Sequence, residues 1–247
     1  MLPKIIHYCW FGHNPLPMSA LKCIESWKFF FPDYEIKEWN EDNFDVNIIP
    51  YTSEAYEAKK HAFVSDYARF WVLYKYGGLY FDTDVEVIKS MDDIIAKGPF
   101  MGAEKAYDPS KAGEKMSGVA PGLGLGCNPG QGLIKEILDA YTQFCFINPD
   151  GSLNKKTVVD YTTEILCNHG LLNTAEIQEC GGFRIYPQEY FAPKDVTTGI
   201  LTITPNTRSI HHYDASWHTA SDKLKERIAK MMGSKLRSLI LSIKHRS

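Results

Sequence analysis

Two aspartates separated by one residue follow an apolar stretch in the first half of the chain. Residues 77–81 read Gly-Gly-Leu-Tyr-Phe, and Asp82 and Asp84 come directly after them. The glycine pair is expected to end a helix, and the apolar residues are typical of a buried strand. Two carboxylates at the end of such a strand present hard oxygen ligands, which Mg²⁺ and Mn²⁺ prefer. The alternative is a pair of solvated loop carboxylates, but the buried strand before them favours a metal site.

A divalent cation held by two aspartates needs a further ligand, and histidine is a common one. His211 and His212 lie on a predicted strand near the end of the chain. Side chains of neighbouring strand residues face opposite ways, so only one of the two is expected to face the aspartates. A packed or exposed histidine is the alternative for each. Trp217 is a candidate for covering the same site.

The segment before the aspartates is predicted to be an amphipathic helix over residues 61–76. Its aromatic residues recur at helical spacing, at positions 63, 67, 70, 71 and 74. Asp66 and Arg69 are three residues apart on a neighbouring face, where they pair with each other or reach the same ligand.

Helices and strands alternate along the chain, which predicts an α/β fold with a parallel core. In such sheets the cleft lies at the carboxyl ends of the strands, where Asp82 and Asp84 fall. Residues 40–52 and 106–126 lack periodicity and are expected to be loops. Strands are predicted at 5–10, 34–39, 79–81, 85–87, 183–186, 201–204 and 209–213, and helices at 19–31, 61–76, 133–146 and 159–169.

Composition indicates a globular protein with a basic tail. Hydrophobic residues make up 44% of the 247 residues, and the six cysteines show no Cys-x-x-Cys spacing, which is typical of reduced thiols. No apolar run has the length of a membrane span, and Met1 is not followed by a signal-peptide pattern. These features favour a cytoplasmic location. The net charge of the chain does not by itself exclude any class of partner, but the sequence contains no nucleic-acid-binding motif.

The last 27 residues differ in charge from the rest of the chain. Residues 221–247 hold eight basic and two acidic side chains, whereas the other 220 residues hold 19 basic and 28 acidic. We therefore expect a catalytic domain over residues 1–220 and a basic amphipathic helical tail over 221–247. Residues 234–246 have the pattern of a helix that docks on an anionic membrane, here the inner face of the plasma membrane. The alternative is a helix packed on the domain.

Four motifs, taken in order, resemble glycosyltransferase family 32. They are Ile-His-Tyr-Cys-Trp-Phe-Gly at 6–12, Ser-Asp-Tyr-Ala-Arg at 65–69, Gly-Gly-Leu-Tyr-Phe-Asp-Thr-Asp at 77–84 and His-His-Tyr-Asp-Ala-Ser-Trp at 211–217. The resemblance covers roughly residues 3–218. This family includes bacterial capsular and exopolysaccharide transferases and is related to the glucosylating domain of clostridial toxins.

The resemblance implies a GT-A fold, which is a Rossmann-like nucleotide-sugar-binding fold. It also implies a Mn²⁺ or Mg²⁺ requirement, and transfer of a hexose with retention of anomeric configuration. The donor is a nucleotide sugar, with a UDP-hexose favoured. The acceptor is a glycan or a lipid-linked saccharide in surface polysaccharide biosynthesis.

The same resemblance implies roles for individual residues. Trp10 matches the aromatic that stacks on the donor base. The metal ligands are Asp82, Asp84 and His211, with His211 matching better than His212. Donor contacts are implied for Tyr8, Asp66, Arg69, Tyr80, Asp82, Ser216 and Trp217. The sequence departs from the family pattern at two points. Ala215 stands where glycine is frequent, and the Gly-Pro start expected before the later helix is missing near residues 157–163. The second departure concerns the acceptor side.

The chemistry is consistent with this implication. Breaking a sugar–phosphate bond leaves charge on a nucleoside diphosphate, which a metal ion and the Arg69 guanidinium would stabilise. Two rival functions stay open. A haloacid-dehalogenase-type phosphohydrolase has a similar Asp-x-Asp strand, although Asp92 and Asp93 come too soon for its second acidic pair. A non-catalytic carbohydrate- or nucleotide-binding module would need no metal.

Overall fold

The part of the chain that the structure describes folds around a mixed β-sheet with helices on both faces. The computed structural model describes residues 1–116, 118–196 and 198–214. Its strands are β1 Ile5–Cys9, β2 Glu35–Trp39, β3 Gly78–Tyr80, β4 Val85–Val87, β5 Phe100–Ala103, β6 Val119–Ala120, β7 Leu125–Cys127, β8 Gln178–Cys180, β9 Phe183–Tyr186 and β10 Ser209–His211. Its α-helices are α1 Met18–Phe30, α2 Pro50–Glu57, α3 His61–Tyr76, α4 Asp92–Ile95, α5 Gly132–Tyr141 and α6 Val158–Asn168.

The order of strands brings several carboxyl ends to one edge of the sheet. The main sheet has the order β2-β1-β3-β7-β5-β9-β8, and β1 runs parallel to β2 and β3. Strand β7 lies between β3 and β5 and is antiparallel to both. Strands β3 and β5 therefore run in the same direction, and the residues that follow them, Asp82 and Glu104, emerge at the same edge.

The side chains of β3 alternate between two apolar clusters. Leu79 and Phe81 belong to one cluster together with Trp27 of α1, whereas Tyr80 belongs to the other together with Phe70 of α3. All five of these side chains are buried. This alternation is the strand periodicity, and it means that Asp82 begins where a strand buried on both faces ends.

The turn between α3 and β3 requires glycine at two positions. Gly77 and Gly78 both have positive φ angles, of 63° and 96°. A Cβ atom on Gly78 would lie 2.5 Å from the Ile5 carbonyl oxygen of the neighbouring strand, and one on Gly77 would lie 2.6 Å from Pro129. The glycine pair therefore ends the helix and also lets β3 approach β1 closely.

Several of the predicted elements are confirmed. Helix α3 spans residues 61–76 as predicted, β2 lies within the predicted strand 34–39, and the α/β class is confirmed. The parallel core is interrupted by the antiparallel strand β7.

Other predictions are wrong. Residues 201–204 do not form a strand: Leu201 makes an isolated bridge to Lys194, and the apolar side chains of the segment are exposed. Among the described residues, no strand covers this alternating segment. Helix α2 begins inside the predicted loop 40–52, and β6 and β7 lie inside the predicted loop 106–126.

Residues Met1–Tyr213 form one compact unit. The predicted tail at 221–247, together with the end of the domain predicted for residues 1–220, lies outside the described residues, so both stay predictions. None of the helices in the described part of the chain is long and apolar enough to cross a bilayer.

A buried histidine joins β1 to β2 and to the α3–β3 turn. The indole N–H of Trp39 donates to His7 Nδ1 at 3.0 Å, so the proton of the neutral ring lies on Nε2, which donates to the Gly77 carbonyl at 2.9 Å. His7 is fully buried. Burial lowers the pKa of His7 from 6.5 to about 4, because the charged imidazolium is poorly solvated in the core.

This histidine predicts a loss of stability in mild acid. Between pH 6.5 and about 4 the unfolded chain binds a proton at His7 that the folded protein does not. The free energy of unfolding therefore falls as the pH falls through this range, by up to about 3 kcal/mol from this group. Urea unfolding at neutral pH and near pH 4 should show this in the native protein.

The matched variant is His7→Gln, which keeps one donor and one acceptor but does not titrate. Its free energy of unfolding should depend less on pH over the same range. An equal pH dependence in the two proteins would contradict the assignment.

Candidate functional site

Arg69 stands at the centre of a cluster of carboxylates behind the end of β3. Its Nη2 atom lies 2.8 Å from Asp66 Oδ1 and 3.4 Å from Asp82 Oδ1, and its guanidinium lies over the ring of Tyr80 at 5.0 Å. Its Nε atom also donates to the Ser65 carbonyl at 3.2 Å. The Arg69 side chain is 6% exposed. The pairing of Asp66 with Arg69 that the helical spacing predicts is therefore present, and Arg69 also reaches Asp82.

The ionisation of this cluster depends on its burial. Burial raises the pKa of Asp66 to about 7, with Arg69 opposing the shift and Asp82 adding to it. Burial by itself lowers the pKa of Arg69, but Asp82, Tyr80 and Asp66 raise it by more. Arg69 is therefore a fixed cation between two carboxylates, and it is placed to contact an anionic ligand that reaches the exposed side of Asp82.

Asp82 is the most exposed member of the cluster and is held on several sides. Its side chain is 28% exposed. The Tyr80 hydroxyl donates to Asp82 Oδ1 at 3.0 Å, and the Asp82 N–H donates to the Gly122 carbonyl at 2.9 Å. The Val85 N–H donates to the Asp82 carbonyl at 3.0 Å, which closes the turn that leads into β4. One carboxylate is thus fixed with part of its surface open to a ligand.

Asp84 contacts a different partner. Strand β10 pairs with β4 in antiparallel register, with His211 opposite Val85. His211 Nε2 lies 3.1 Å from Asp84 Oδ1, and both side chains are nearly buried, at 12% and 7% exposure. His212 faces the other way, and its ring lies 2.8 Å from Glu86. The structure therefore brings His211, and not His212, to the side chain of Asp84.

The imidazole of His211 binds a proton more readily than a free histidine does. Burial lowers the pKa of His211, but the hydrogen bond and charge of Asp84 more than offset this, so the pKa is raised. The Nδ1 atom of His211 is buried, and no hydrogen-bond partner for it is found among the described residues.

Within residues 1–116, 118–196 and 198–214, no group of three or more His, Cys, Asp or Glu side chains is placed to hold a metal ion. The three predicted metal ligands are instead arranged as the Asp84–His211 pair and as Asp82, which is bound to Arg69 and Tyr80. Their metal role stays a prediction.

A glycine that the sequence analysis did not single out packs against Asp82. A Cβ atom on Gly122 would lie 1.8 Å from Asp82 Oδ2 and 3.0 Å from Arg69 Nη1. Gly122 lies between β6 and β7, within the segment 106–126 that was predicted to be a loop. No local pattern in the sequence relates this glycine to Asp82, since the contact depends on the antiparallel insertion of β7 beside β3.

The remaining predicted residues lie in different surroundings. Trp10 follows β1 and is half-buried, and its indole N–H donates to the Asn14 carbonyl at 2.6 Å. Tyr8 is buried, and its hydroxyl donates to Glu38 at 2.7 Å on β2. Ser216 and Trp217 lie outside the described residues.

The fold and this arrangement define a class of protein, an α/β protein with an Asp-x-Asp site at the carboxyl edge of its sheet. Residues 17–101 match the family described as "Glycosyltransferase sugar-binding region containing DXD motif". This segment contains Asp66, Arg69, Asp82 and Asp84. Residues 17–101 are therefore similar to the sugar-binding region of the DXD glycosyltransferases, and the resemblance inferred from the sequence is confirmed.

Similar proteins include named glycosyltransferases. Inositol phosphoceramide mannosyltransferase 3 of Schizosaccharomyces pombe is 28% identical over 125 residues, which is 49% of this chain and 34% of that protein. The uncharacterized glycosyltransferase L373 of Acanthamoeba polyphaga mimivirus is 32% identical over 111 residues, 42% of this chain and 44% of that protein. The match thus spans less than half the length of either relative.

Two solved structures are also similar. The PaToxG glycosyltransferase is 19% identical with a TM-score of 0.48, covering 68% of this chain and 69% of its own. The galactosyltransferase LgtC, solved with donor and acceptor sugar analogues, is 16% identical with a TM-score of 0.42, covering 93% of this chain and 95% of its own.

The contact of Gly122 with Asp82 predicts that a single methyl group disables the site. In Gly122→Ala the Asp82 carboxylate must move, and it loses its alignment with Arg69 and Tyr80. A displacement of about 1 Å in a reacting site can cost about a hundredfold in rate. We expect nucleotide-sugar turnover to fall by at least about tenfold, measured as release of the nucleoside diphosphate.

Gly132→Ala is the matched control, because Gly132 begins α5 and a Cβ atom there meets nothing within 4 Å. It should keep full turnover and an unchanged or slightly raised melting temperature. Full turnover in Gly122→Ala would show that the Asp82 position is not critical.

Proposed function

We propose that this protein is a metal-dependent, retaining glycosyltransferase that moves a hexose from a nucleotide sugar to a saccharide acceptor. The observation that carries the proposal is the joint presence of the Arg69–Asp82 cluster and the Asp84–His211 pair where β3 ends. Arg69, Asp82 and Asp84 lie in the segment that matches the DXD glycosyltransferases, and His211 joins them from β10. In this proposal the donor is a UDP-hexose, and the acceptor is a glycan or lipid-linked saccharide of a cell surface.

The residues present fit a divalent cation. Asp84 and His211 offer one carboxylate oxygen and one imidazole nitrogen at a mutual distance of 3.1 Å. A divalent cation bound by both atoms would replace the proton between them. Both donor types are ordinary ligands of Mn²⁺. A bound Mn²⁺ or Mg²⁺ would supply Lewis-acid stabilisation of the leaving diphosphate, and Asp82 would add a second carboxylate on the exposed side.

The other cluster residues bind and orient the donor in this proposal. Arg69 contributes a fixed cation near the diphosphate, and Asp66 and Tyr80 hold Arg69 and Asp82 in place. Trp10 presents a half-buried ring to the base, while Ser216 and Trp217 are proposed to contact the diphosphate. Tyr8 supports β2 through its hydrogen bond to Glu38, so its part in donor binding is indirect.

The phosphohydrolase alternative is less well supported. Asp82, which would be the aspartyl nucleophile, is contacted by Arg69 and Tyr80, and a phosphohydrolase would also need a second acidic pair further along the chain. Asp93, one of the downstream acidic residues, instead pairs with Arg208 at 2.9 Å. A binding module without catalysis would keep the aromatic residues, and it would show no metal-dependent cleavage of a nucleotide sugar.

The first test concerns the metal ligands. Asp84→Asn removes a charge with little change of shape, so the fold should persist while Mn²⁺-dependent hydrolysis of UDP-hexoses falls by at least about a hundredfold, the rate equivalent of losing nearly 3 kcal/mol of transition-state stabilisation. Released UDP is measured together with the melting temperature. Native-like turnover in this variant would contradict the assignment.

The two neighbouring histidines form the matched pair of variants for the same test. His211→Ala should resemble Asp84→Asn, whereas His212→Ala removes only the contact with Glu86 and should lose little turnover. The reverse order would show that the strand faces were assigned wrongly.

The second test concerns the nucleotide base. If the half-buried ring of Trp10 stacks on the base, Trp10→Ala should weaken UDP binding by about 1–3 kcal/mol, by analogy with stacking on nucleic-acid bases. Binding is measured by calorimetry with Mn²⁺ present. A large drop in melting temperature with unchanged affinity for UDP would show that Trp10 serves the core instead.

The third test concerns location. The basic tail at 221–247 is proposed to hold the enzyme on an anionic membrane, each basic residue near the surface adding about 1 kcal/mol. Replacing Lys235, Arg237, Lys244 and Arg246 by Ala should abolish sedimentation with anionic vesicles at low salt and leave hydrolysis of the donor intact. If the native protein never sediments with these vesicles, the membrane proposal is wrong.

A further inference from the structure

A cavity of about 720 Å³ lies beside the carboxyl end of β5. Its walls come from Glu104 and Lys105 after β5, from Lys115, Met116 and Gly118, and from one side of α6 along its whole length together with Thr157 before it. The volume lies within the range of roughly 300–1,000 Å³ that is usual for sites of small molecules. Of the described residues that are assigned to the donor, none lies in its walls.

The carboxylates in the walls of this cavity differ in how they are used. The Asp160 carboxylate accepts from the Thr157 N–H at 3.0 Å and caps α6, and the Glu164 carboxylate pairs with Lys156. For the Glu104 carboxylate, no hydrogen-bond or ion-pair partner is found in the part of the chain that the structure describes. A half-buried carboxylate without such a partner is placed to accept hydrogen bonds from a ligand.

The position of Glu104 relates the cavity to the proposed metal site. Because β3 and β5 run in the same direction, Glu104 emerges at the sheet edge that also carries Asp82 and Asp84. The Glu104 N–H donates to the Gly118 carbonyl at 2.7 Å, which anchors the residue at the rim. Burial raises the pKa of Glu104 and His211 lowers it, so the carboxylate lies within electrostatic reach of the Asp84–His211 pair.

We propose that this cavity binds the saccharide acceptor, with a hydroxyl group of the acceptor donating to the Glu104 carboxylate. The inference rests on the proposed function and names where its second substrate lies. Hydroxyl, carboxylate, amide and ammonium groups line much of the cavity, including Thr157, Thr163 and Asn168. Such a lining matches a polyhydroxylated ligand, and the cavity opens at the edge of the sheet that also carries the site proposed for the donor diphosphate.

A native cysteine allows the cavity to be blocked selectively. Cys167 lies in the wall and is partly exposed, with its thiol 3.5 Å from the Met116 carbonyl. Of the other cysteines only Cys145 is exposed, and the remaining four are buried. In Cys145→Ser, a bulky maleimide should therefore react at Cys167 and fill the cavity. In Cys167→Ser the same reagent should react at Cys145, outside it.

The test compares sugar transfer with donor hydrolysis in the same samples. Methyl glycosides of glucose, galactose and mannose serve as acceptors, and UDP-hexoses with Mn²⁺ serve as donors. Labelling at Cys167 should lower the ratio of transfer to hydrolysis at least tenfold, and labelling at Cys145 should leave this ratio unchanged. The acceptor that is used should also slow the labelling of Cys167.

Glu104→Gln provides an independent readout, because it keeps the size of the side chain and removes its charge. The KM for the acceptor should rise at least tenfold, and the KM for the donor should change less than twofold. Melting temperatures identify any variant or labelled sample that has lost its fold.

Two outcomes distinguish a failure of the acceptor assignment from a failure of the proposed function. Undiminished transfer by protein labelled at Cys167, together with an unchanged acceptor KM in Glu104→Gln, would overturn the acceptor assignment alone. Absence of any turnover of a nucleotide sugar by the unlabelled native protein would overturn the proposed function, and the acceptor assignment with it.

Discussion

The arrangement of the site depends on one buried cation that is shared by two carboxylates. Arg69 projects from α3 and contacts Asp66 one turn earlier on the same helix and Asp82 beyond the end of β3. A buried guanidinium without carboxylates would be costly, and Arg69 opposes the rise that burial causes in the pKa of Asp66. The three groups therefore fix the end of β3 against α3. This leaves Asp84 in the turn that follows, where it meets β10.

Around this cluster, neighbouring segments approach glycine residues so closely that a larger residue would not fit. Gly78 lets β3 lie against β1, and Gly122 leaves room for the Asp82 carboxylate. The neutral His7 joins the same turn to β1 and β2 through two hydrogen bonds. The donor side of the proposed site is thus held by rigid, buried elements, as precise placement of reacting groups requires.

Local sequence patterns predicted the first half of the fold and the main residues of the site. Helix α3 was predictable because its aromatic spacing matches the buried face, and Asp82 because a fully apolar strand precedes it. Strand alternation predicted that only one of His211 and His212 faces the aspartates, and the family resemblance favoured His211. These features depend on residues that are close in sequence.

The features that were missed depend on contacts between distant segments. Gly122 belongs to a stretch that is short of apolar periodicity and Glu104 lies just before it, and their positions follow from the insertion of the antiparallel strand β7 between β3 and β5. Residues 201–204 show the opposite error, since they alternate like a strand but no strand among the described residues covers them. Pairing of remote strands is a tertiary property, and it overrides local propensity in both cases.

In the proposed function, protein and diphosphate complete the metal site together. The described residues hold no ready three-ligand group, and only Asp84 and His211 are already in contact. Binding of Mn²⁺ and UDP should therefore be strongly coupled, and the coupling should be equal in both directions. Mn²⁺ titrations followed by electron paramagnetic resonance, with and without UDP, measure this directly. We predict weak Mn²⁺ binding alone and binding at least about tenfold tighter with UDP, which Asp84→Asn should abolish. Equal Mn²⁺ affinity with and without UDP would contradict the account.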